Sequence, residues 1–203
     1  MYLLRHGATE INLANPPRLQ GRKQDLPLAA EGRKQAAQAA RSLETAQIAA
    51  VFTSPLLRAR ETAAVIAARH GLQPQVVESL IECDVGDWED KSWDEIARTD
   101  NEAYRRFTAD PATNPYKAGE SFAQVLARVL PPIKQAAAEH LGCSIAIVAH
   151  NIVNRVLLAP VLGVPLAKAR GLIQHHCGLN ILRFRGGRLE VLTVNAVFHL
   201  DSW

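Results

Sequence analysis

The chain opens on an apolar run, Met1-Tyr2-Leu3-Leu4, that passes directly into Arg5-His6-Gly7, then Ala8-Thr9-Glu10 and Asn12. An imidazole delivered at the end of a buried strand suits attack on an anionic electrophile when a permanent cation precedes it. A following glycine lets a ligand approach the backbone. Phosphate is the obvious electrophile of that kind. A single histidine in such a place is more often a core or turn residue, so the reading depends on what else the chain carries.

Further residues stand at suggestive places: Gln20-Gly21, Ser54-Pro55 with Arg58 and Glu61-Thr62, Glu82 with Gly86-Asp87-Trp88-Glu89, Gly119-Glu120-Ser121, Val148-Ala149-His150, and Asn195 with His199-Leu200. Together with Arg5-His6-Gly7 this ordered series resembles the histidine phosphatase (phosphoglycerate mutase-like) superfamily over nearly the whole chain. The resemblance implies a phosphomonoesterase that works through a phosphohistidine on His6, whose attacking nitrogen must be unprotonated. The acceptor that holds the other ring nitrogen is not legible in the sequence. Arg5 and Arg58 are expected to clamp the phosphoryl oxygens with forked bonds, helped by the amino end of the helix after His150. His150 resembles the family's second histidine at the phosphoryl group. Glu82 occupies the place of the family's acidic residue and is expected to be the general acid and base, with a raised pKa and a bell-shaped pH profile. Asn12, Gln20 and Gly21 match positions that line the mouth of the site.

The chain departs from the family pattern in three places. Asn151 follows His150 where glycine is usual, which puts an amide over the substrate. Ala8 replaces a usual glutamate or glutamine, and the loop carrying Asn15-Pro16-Pro17-Arg18 is longer than common. Each points to altered selectivity with the nucleophile untouched.

These residues need elements to hold them. Ala36, Ala37, Ala40 and Leu43 fall at helical spacing, predicting a helix over residues 30–45. Val51-Phe52 reads as a strand, followed by Ser54 as N-cap and Pro55 as first residue of a helix ending at His70-Gly71. Ser121 and Gln124 resemble a capping box for a long helix that Pro131-Pro132 should kink or split. Ile145 to Val148 reads as a strand buried on both faces, ending at His150, with a helix from about Ile152. Asn180 to Phe184 and Leu189 to Val194 flank Arg185-Gly186-Gly187-Arg188 as a hairpin. Alternating strands and helices imply a three-layer α/β/α sandwich with a mainly parallel sheet. Ligands bind beyond the carboxyl ends of such strands, where Arg5-His6, Ser54 to Arg58 and His150 would meet.

At 203 residues, with no linker or charge block, one domain over 1–203 is expected. A net charge of +3 with both signs interspersed gives no footprint for nucleic acid or a membrane surface, so the expected partner is a small phosphorylated substrate. Cys83, Cys143 and Cys177 are odd in number and lack zinc spacing, which fits free thiols in a cytoplasm. No signal peptide is expected, because Arg5 interrupts the apolar start, and the apolar stretch Val156 to Ala167 is broken by Pro160 and Pro165. No metal or cofactor is called for, since adjacent His175 and His176 chelate poorly. Oligomeric state is left open. Two other functions compete. A phosphoglycerate mutase of this superfamily carries a longer insertion than the compact Cys83 to Glu89 segment. A silent phospho-ligand or partner-binding relative would have no chemical need for His6, Arg58, Glu82 and His150 together.

Overall fold

A computed structural model describes residues 1–201 and first accounts for the apolar opening of the chain. Leu3 and Leu4 are both wholly buried, yet in two separate core clusters. Successive strand side chains point to opposite faces, so β1 (Tyr2–Arg5) must be a central strand covered on both sides. After it come a short α1 (Glu10–Leu13), α2 (Ala30–Ser42), β2 (Ile48–Thr53), α3 (Leu57–Ala68) and the two-residue β3 (Gln75–Val76). The second half carries α4 (Trp93–Thr99), α5 (Asn101–Ala109), α6 (Phe122–Glu139), β4 (Ser144–Ala149), α7 (Asn151–Val161), β5 (Leu179–Arg185) and β6 (Arg188–Ala196).

The described strands form one sheet in the order β3-β2-β4-β1-β5-β6. Pairing is parallel from β3 through β2 and β4 to β1, and antiparallel where β5 meets β1 and β6. The β5–β6 return is the expected hairpin: Gly186 and Gly187 both take positive φ, 56° and 75°, as a tight two-residue turn requires. On one face α6 and α7 bring Phe122, Val125, Val129, Val153 and Leu157 against Leu3, Ile145 and Ile147. On the other, alanines of α2 and α3 (Ala36, Ala39, Ala40, Ala59, Ala63) let both helices lie close on Leu4, Val51 and Val148. This is the expected α/β sandwich.

Three local expectations are corrected. Ser54 and Pro55 do not open α3, whose N-cap is Leu56 and whose first residue is Leu57. The Ser54 hydroxyl instead accepts the Leu56 amide at 3.3 Å and reaches His150, so the serine serves the strand end and not the helix. The helix predicted to run to residue 45 ends at Ser42. Finally, of the kink or split expected at Pro131 and Pro132, the split does not occur: α6 continues through both to Glu139. Two interior prolines cost on the order of 6 kcal/mol. Burying Phe122, Val125, Val129 and Ile133 returns about 6–12 kcal/mol. The first of the prolines is exposed, so the carbonyls it frees lie towards water. The capping box holds as expected, with the Gln124 amide on the Ser121 hydroxyl and the Ser121 amide on Gln124.

Candidate active site

The carboxyl ends of β1, β2 and β4 are neighbours in the parallel part of the sheet, so the residues just past them converge. His6 is 3% exposed. Its Nδ1 lies 2.7 Å from the Gly7 carbonyl, which can only accept, so the proton sits on Nδ1 and the Nε2 lone pair is free. Nε2 faces Arg58, whose Nε–H donates to it at 3.2 Å. Burial, then the positive fields of Arg58, His150, Arg5 and His176, hold His6 well below the usual imidazole range. The ring is therefore neutral at physiological pH, with the Nε2 lone pair free.

Arg58, in the first turn of α3, is wholly buried and pinned at both ends of its guanidinium, by the Gln24 carbonyl at 3.0 Å and the Gly21 carbonyl at 2.8 Å. Burial works against its charge, and Glu82, Asp25 and Glu89 support it. Arg5 donates to the Gln174 carbonyl at 2.8 Å and keeps its buried Nε–H unpartnered. His150, also wholly buried, is the N-cap of α7; its Nε2 lies 2.6 Å from the Ser54 hydroxyl and its Nδ1 has no partner. Burial, then Arg58 and Arg5, depress its pKa. The two imidazoles sit 5.1 Å apart, centroid to centroid.

Glu82 is 4% exposed, and its oxygens accept the Cys83 amide at 2.8 Å and the Ile152 amide at 3.2 Å. One of the α7 amides expected on the ligand is thus turned to the carboxyl group. A cavity of about 130 Å³ opens beside these groups, lined by Arg5, His6, Asn12, Gln20, Glu82 and Asn151 among others. Arg58 and His150 are not among the residues of that lining. Gly21 is not in the lining either: its carbonyl holds Arg58, and its amide donates to Glu89 at 2.7 Å. The Asn151 side-chain oxygen is buried without a partner. Among the described residues no group of three or more His, Cys, Asp or Glu side chains could hold a metal ion. The arginines around His6 suit an anion instead.

Gly7 serves a purpose the sequence reading did not assign. A Cβ there would stand 2.4 Å from the Gly32 carbonyl oxygen, so this glycine admits the close approach of α2. Its amide donates to the Thr62 hydroxyl at 3.1 Å, which makes Thr62 a support for the peptide that follows His6. His176, read as structural or surface, packs its ring 5.6 Å from His6 and bonds the His6 carbonyl through Nδ1 at 3.2 Å. Arg155, Arg170, Trp93 and Tyr116 also line the cavity and were missed. Helical spacing could have found Arg155, four residues beyond Asn151 and so on the same face of α7. Asn195 and His199 hold the loop before β5, through the His175 amide at 2.7 Å and the Cys177 carbonyl at 3.0 Å.

The chain matches the model of the histidine phosphatase superfamily (branch 1) over residues 1–197. It is similar to phosphoserine phosphatase 1 of Hydrogenobacter thermophilus, 28% identical over 203 residues covering 100% of this chain and 95% of that protein. It is 31% identical over 207 residues to the probable phosphoglycerate mutase GpmB of Serratia proteamaculans, covering 100% of this chain and 95% of that protein. Among solved structures, the complex of mycobacterial glucosyl-3-phosphoglycerate phosphatase Rv2419c with VO3 has a TM-score of 0.85 at 28% identity, covering 97% of this chain and 99% of that one. With the family model matched over nearly the whole chain, the chain belongs to branch 1 of the histidine phosphatase superfamily and is a phosphatase of that family.

Proposed function

We propose that this protein is a metal-independent phosphomonoesterase that hydrolyses a small phosphorylated metabolite through a phosphohistidine on His6. The observation that carries the reading is the 2.7 Å bond from Nδ1 to the Gly7 carbonyl, which leaves Nε2 as a lone pair facing the Arg58 guanidinium. In the first step Nε2 attacks phosphorus and the P–O bond to the alcohol breaks. Glu82, protonated at that moment, gives its proton to the departing alkoxide. Arg5, Arg58 and His150 hold the three equatorial oxygens as charge develops on them, so Arg58 turns its Nε–H from the nucleophile to the phosphoryl group. In the second step Glu82, now a carboxylate, takes a proton from water as that water attacks phosphorus. The P–N bond breaks, its electron pair returns to Nε2, and inorganic phosphate leaves.

Asn12, Gln20 and Asn151 border the substrate in this reading, and Gly21 acts through Arg58. The small cavity supports a compact metabolite over a macromolecule. No helix among the described residues is long and apolar enough to cross a membrane. The three cysteines are free thiols, which supports the cytoplasm as the site of action.

The similarity to a probable phosphoglycerate mutase favours a second reading, interconversion of phosphoglycerates through the same phosphohistidine. One assay separates them: inorganic phosphate release from an aryl phosphate and a metabolite panel, with a chelator present, by wild type and His6→Ala. Release by wild type that stops in the variant supports hydrolysis. Phosphoglycerate exchange with negligible release supports the mutase, and no turnover of any kind supports a silent binder.

A further inference from the structure

Gly119-Glu120-Ser121, suggestive in the sequence, does not line the cavity and has no place in the mechanism above. Its surroundings point to Glu82. His6 and His150 stand just past strand ends and Arg58 lies in a helix, whereas Glu82 falls in irregular chain between the 3₁₀ turns Glu78–Leu80 and Gly86–Trp88. Regular backbone bonding does not hold the acid there, so its position must be set by other groups.

Ser121 caps α6, and two turns further on that helix carries Arg128. Every N–H donor of the Arg128 guanidinium has a partner. Nε–H and one Nη2–H grip both oxygens of the Glu120 carboxylate, at 2.8 Å and 3.0 Å, as a forked pair. Nη1 donates to the carbonyls of Ser79 and Ile81, the latter at 2.7 Å, and Nη2 donates to the Glu82 carbonyl at 3.1 Å. The Ile81 and Glu82 carbonyls belong to the two peptide planes on either side of the Glu82 Cα. One guanidinium therefore fixes the backbone torsions that aim the Glu82 side chain. The far end of the second plane is the Cys83 amide, which the Glu82 carboxyl group itself accepts at 2.8 Å.

Glu120 ties the next residue of the same loop: its amide donates to the Asp84 carbonyl at 2.8 Å, and its carboxylate accepts the Asp84 amide at 2.8 Å. Gly119 approaches so closely that a Cβ on it would stand 2.2 Å from the Asp84 carbonyl oxygen. Burial works against the charge of Glu120, but the bonds from Arg128 and the Asp84 amide outweigh it and hold its carboxyl below the usual carboxylate range. Neither Arg128 nor Glu120 lines the cavity, so neither is placed to touch the substrate.

We infer that Arg128, locked by Glu120, is the positioning residue of the general acid: it sets where the Glu82 carboxyl group stands against the leaving oxygen, and it acts only through Glu82, on whose assignment as acid the inference rests.

Esters with unlike leaving groups test this. The 4-nitrophenolate ion departs without a proton, whereas the alkoxide of benzyl phosphate needs one, so a displaced acid slows the second ester selectively. A displacement of about 1 Å costs on the order of a hundredfold. The quantity to compare is kcat/KM, which covers binding and phosphoryl transfer to His6 and leaves out hydrolysis of the phosphoenzyme. In Arg128→Lys, which keeps the charge and loses the fork, kcat/KM for benzyl phosphate should fall at least about tenfold further than that for 4-nitrophenyl phosphate. Glu120→Gln should show the same bias to a smaller degree, since one acceptor for the fork remains. Each comparison is a ratio within one preparation, so a lowered folded fraction cancels from it. Where Arg128→Lys yields no folded protein, Glu120→Gln decides by the same ratio. Glu82→Gln supplies the reference. A bias in Glu82→Gln with an equal loss on both esters in Arg128→Lys is what a merely structural role predicts; it overturns the inference and leaves the general acid in place. An equal loss on both esters in Glu82→Gln removes the acid and the inference with it.

Discussion

Thr62→Val replaces a hydroxyl by a methyl group of nearly the same shape at a wholly buried position of α3. The hydroxyl makes two bonds. It accepts the Gly7 amide at 3.1 Å and donates to the Arg58 carbonyl at 2.8 Å. The Arg58 carbonyl loses little, because a helix supplies it with the amide four residues on. The Gly7 amide is different: it is buried, and valine leaves it without an acceptor, a cost of about 1–3 kcal/mol. A domain of this size shifts by roughly 2–4 °C per kcal/mol, so a loss of about 2 kcal/mol lowers Tm by roughly 4–8 °C. The effect on rate follows from the other end of the same residue, since the Gly7 carbonyl holds Nδ1 of His6 at 2.7 Å. A glycine released at its amide lets that carbonyl rotate, and about 1.4 kcal/mol of lost orientation is tenfold in kcat. Thermal melting and phosphate release at neutral pH measure both effects. A variant with unchanged Tm and unchanged kcat refutes the claim that Thr62 anchors the nucleophile's peptide.

Other expectations follow from the same geometry. His6, His150 and His176 are each held well below the ordinary imidazole range, by burial first. They titrate near 6.5 in the unfolded chain, so below that pH the unfolded state binds more protons. Their contribution is complete above about 6.5 and is lost as pH falls, at about 1.4 kcal/mol per pH unit for each histidine. Melting curves should show Tm dropping between roughly pH 6.5 and pH 5, and a constant Tm over that range would contradict the burial of neutral imidazoles. Gly32→Ala places a Cβ 2.0 Å from the Ala8 carbonyl oxygen, a backbone atom that cannot yield, and should cost about 3 kcal/mol or more with loss of activity. Gly171→Ala, where nothing lies within 4 Å, should stay within about 0.5 kcal/mol of wild type in the same melt. Equal Tm values for the two variants would show that α2 does not need its close approach to the loop after His6.

Much of this site was legible in the sequence because apolar runs end where the chemistry begins. Leu3-Leu4 stops at Arg5-His6 and Ile145 to Val148 stops just before His150, so strand ends and candidate residues were found together. The capping box at Ser121 and the turn at Gly186-Gly187 were legible for a like reason, as local signals with local causes. What failed was non-local. His176 meets the His6 carbonyl from 170 residues away, and Thr62 meets the Gly7 amide from 55 residues away; no periodicity encodes either contact. Gly7 was read as room for a ligand because the chain alone does not show that Gly32 crosses it. At Pro131-Pro132 a sound local rule allowed a split that the apolar face of α6 overrides.

The central claim is that phosphoryl groups pass through Nε2 of His6, and the most direct measurement is to trap and map the phosphoenzyme. Rapid mixing with a hydrolysable ester, quenching in alkali, where phosphohistidine survives, and sequencing the peptides by mass spectrometry should place one phosphoryl group on His6. Its bond should be to Nε2, and His6→Ala should carry none. A wild-type enzyme that releases phosphate steadily while His6 stays unmodified at every quench time, or a phosphoryl group found on another side chain, would contradict the account.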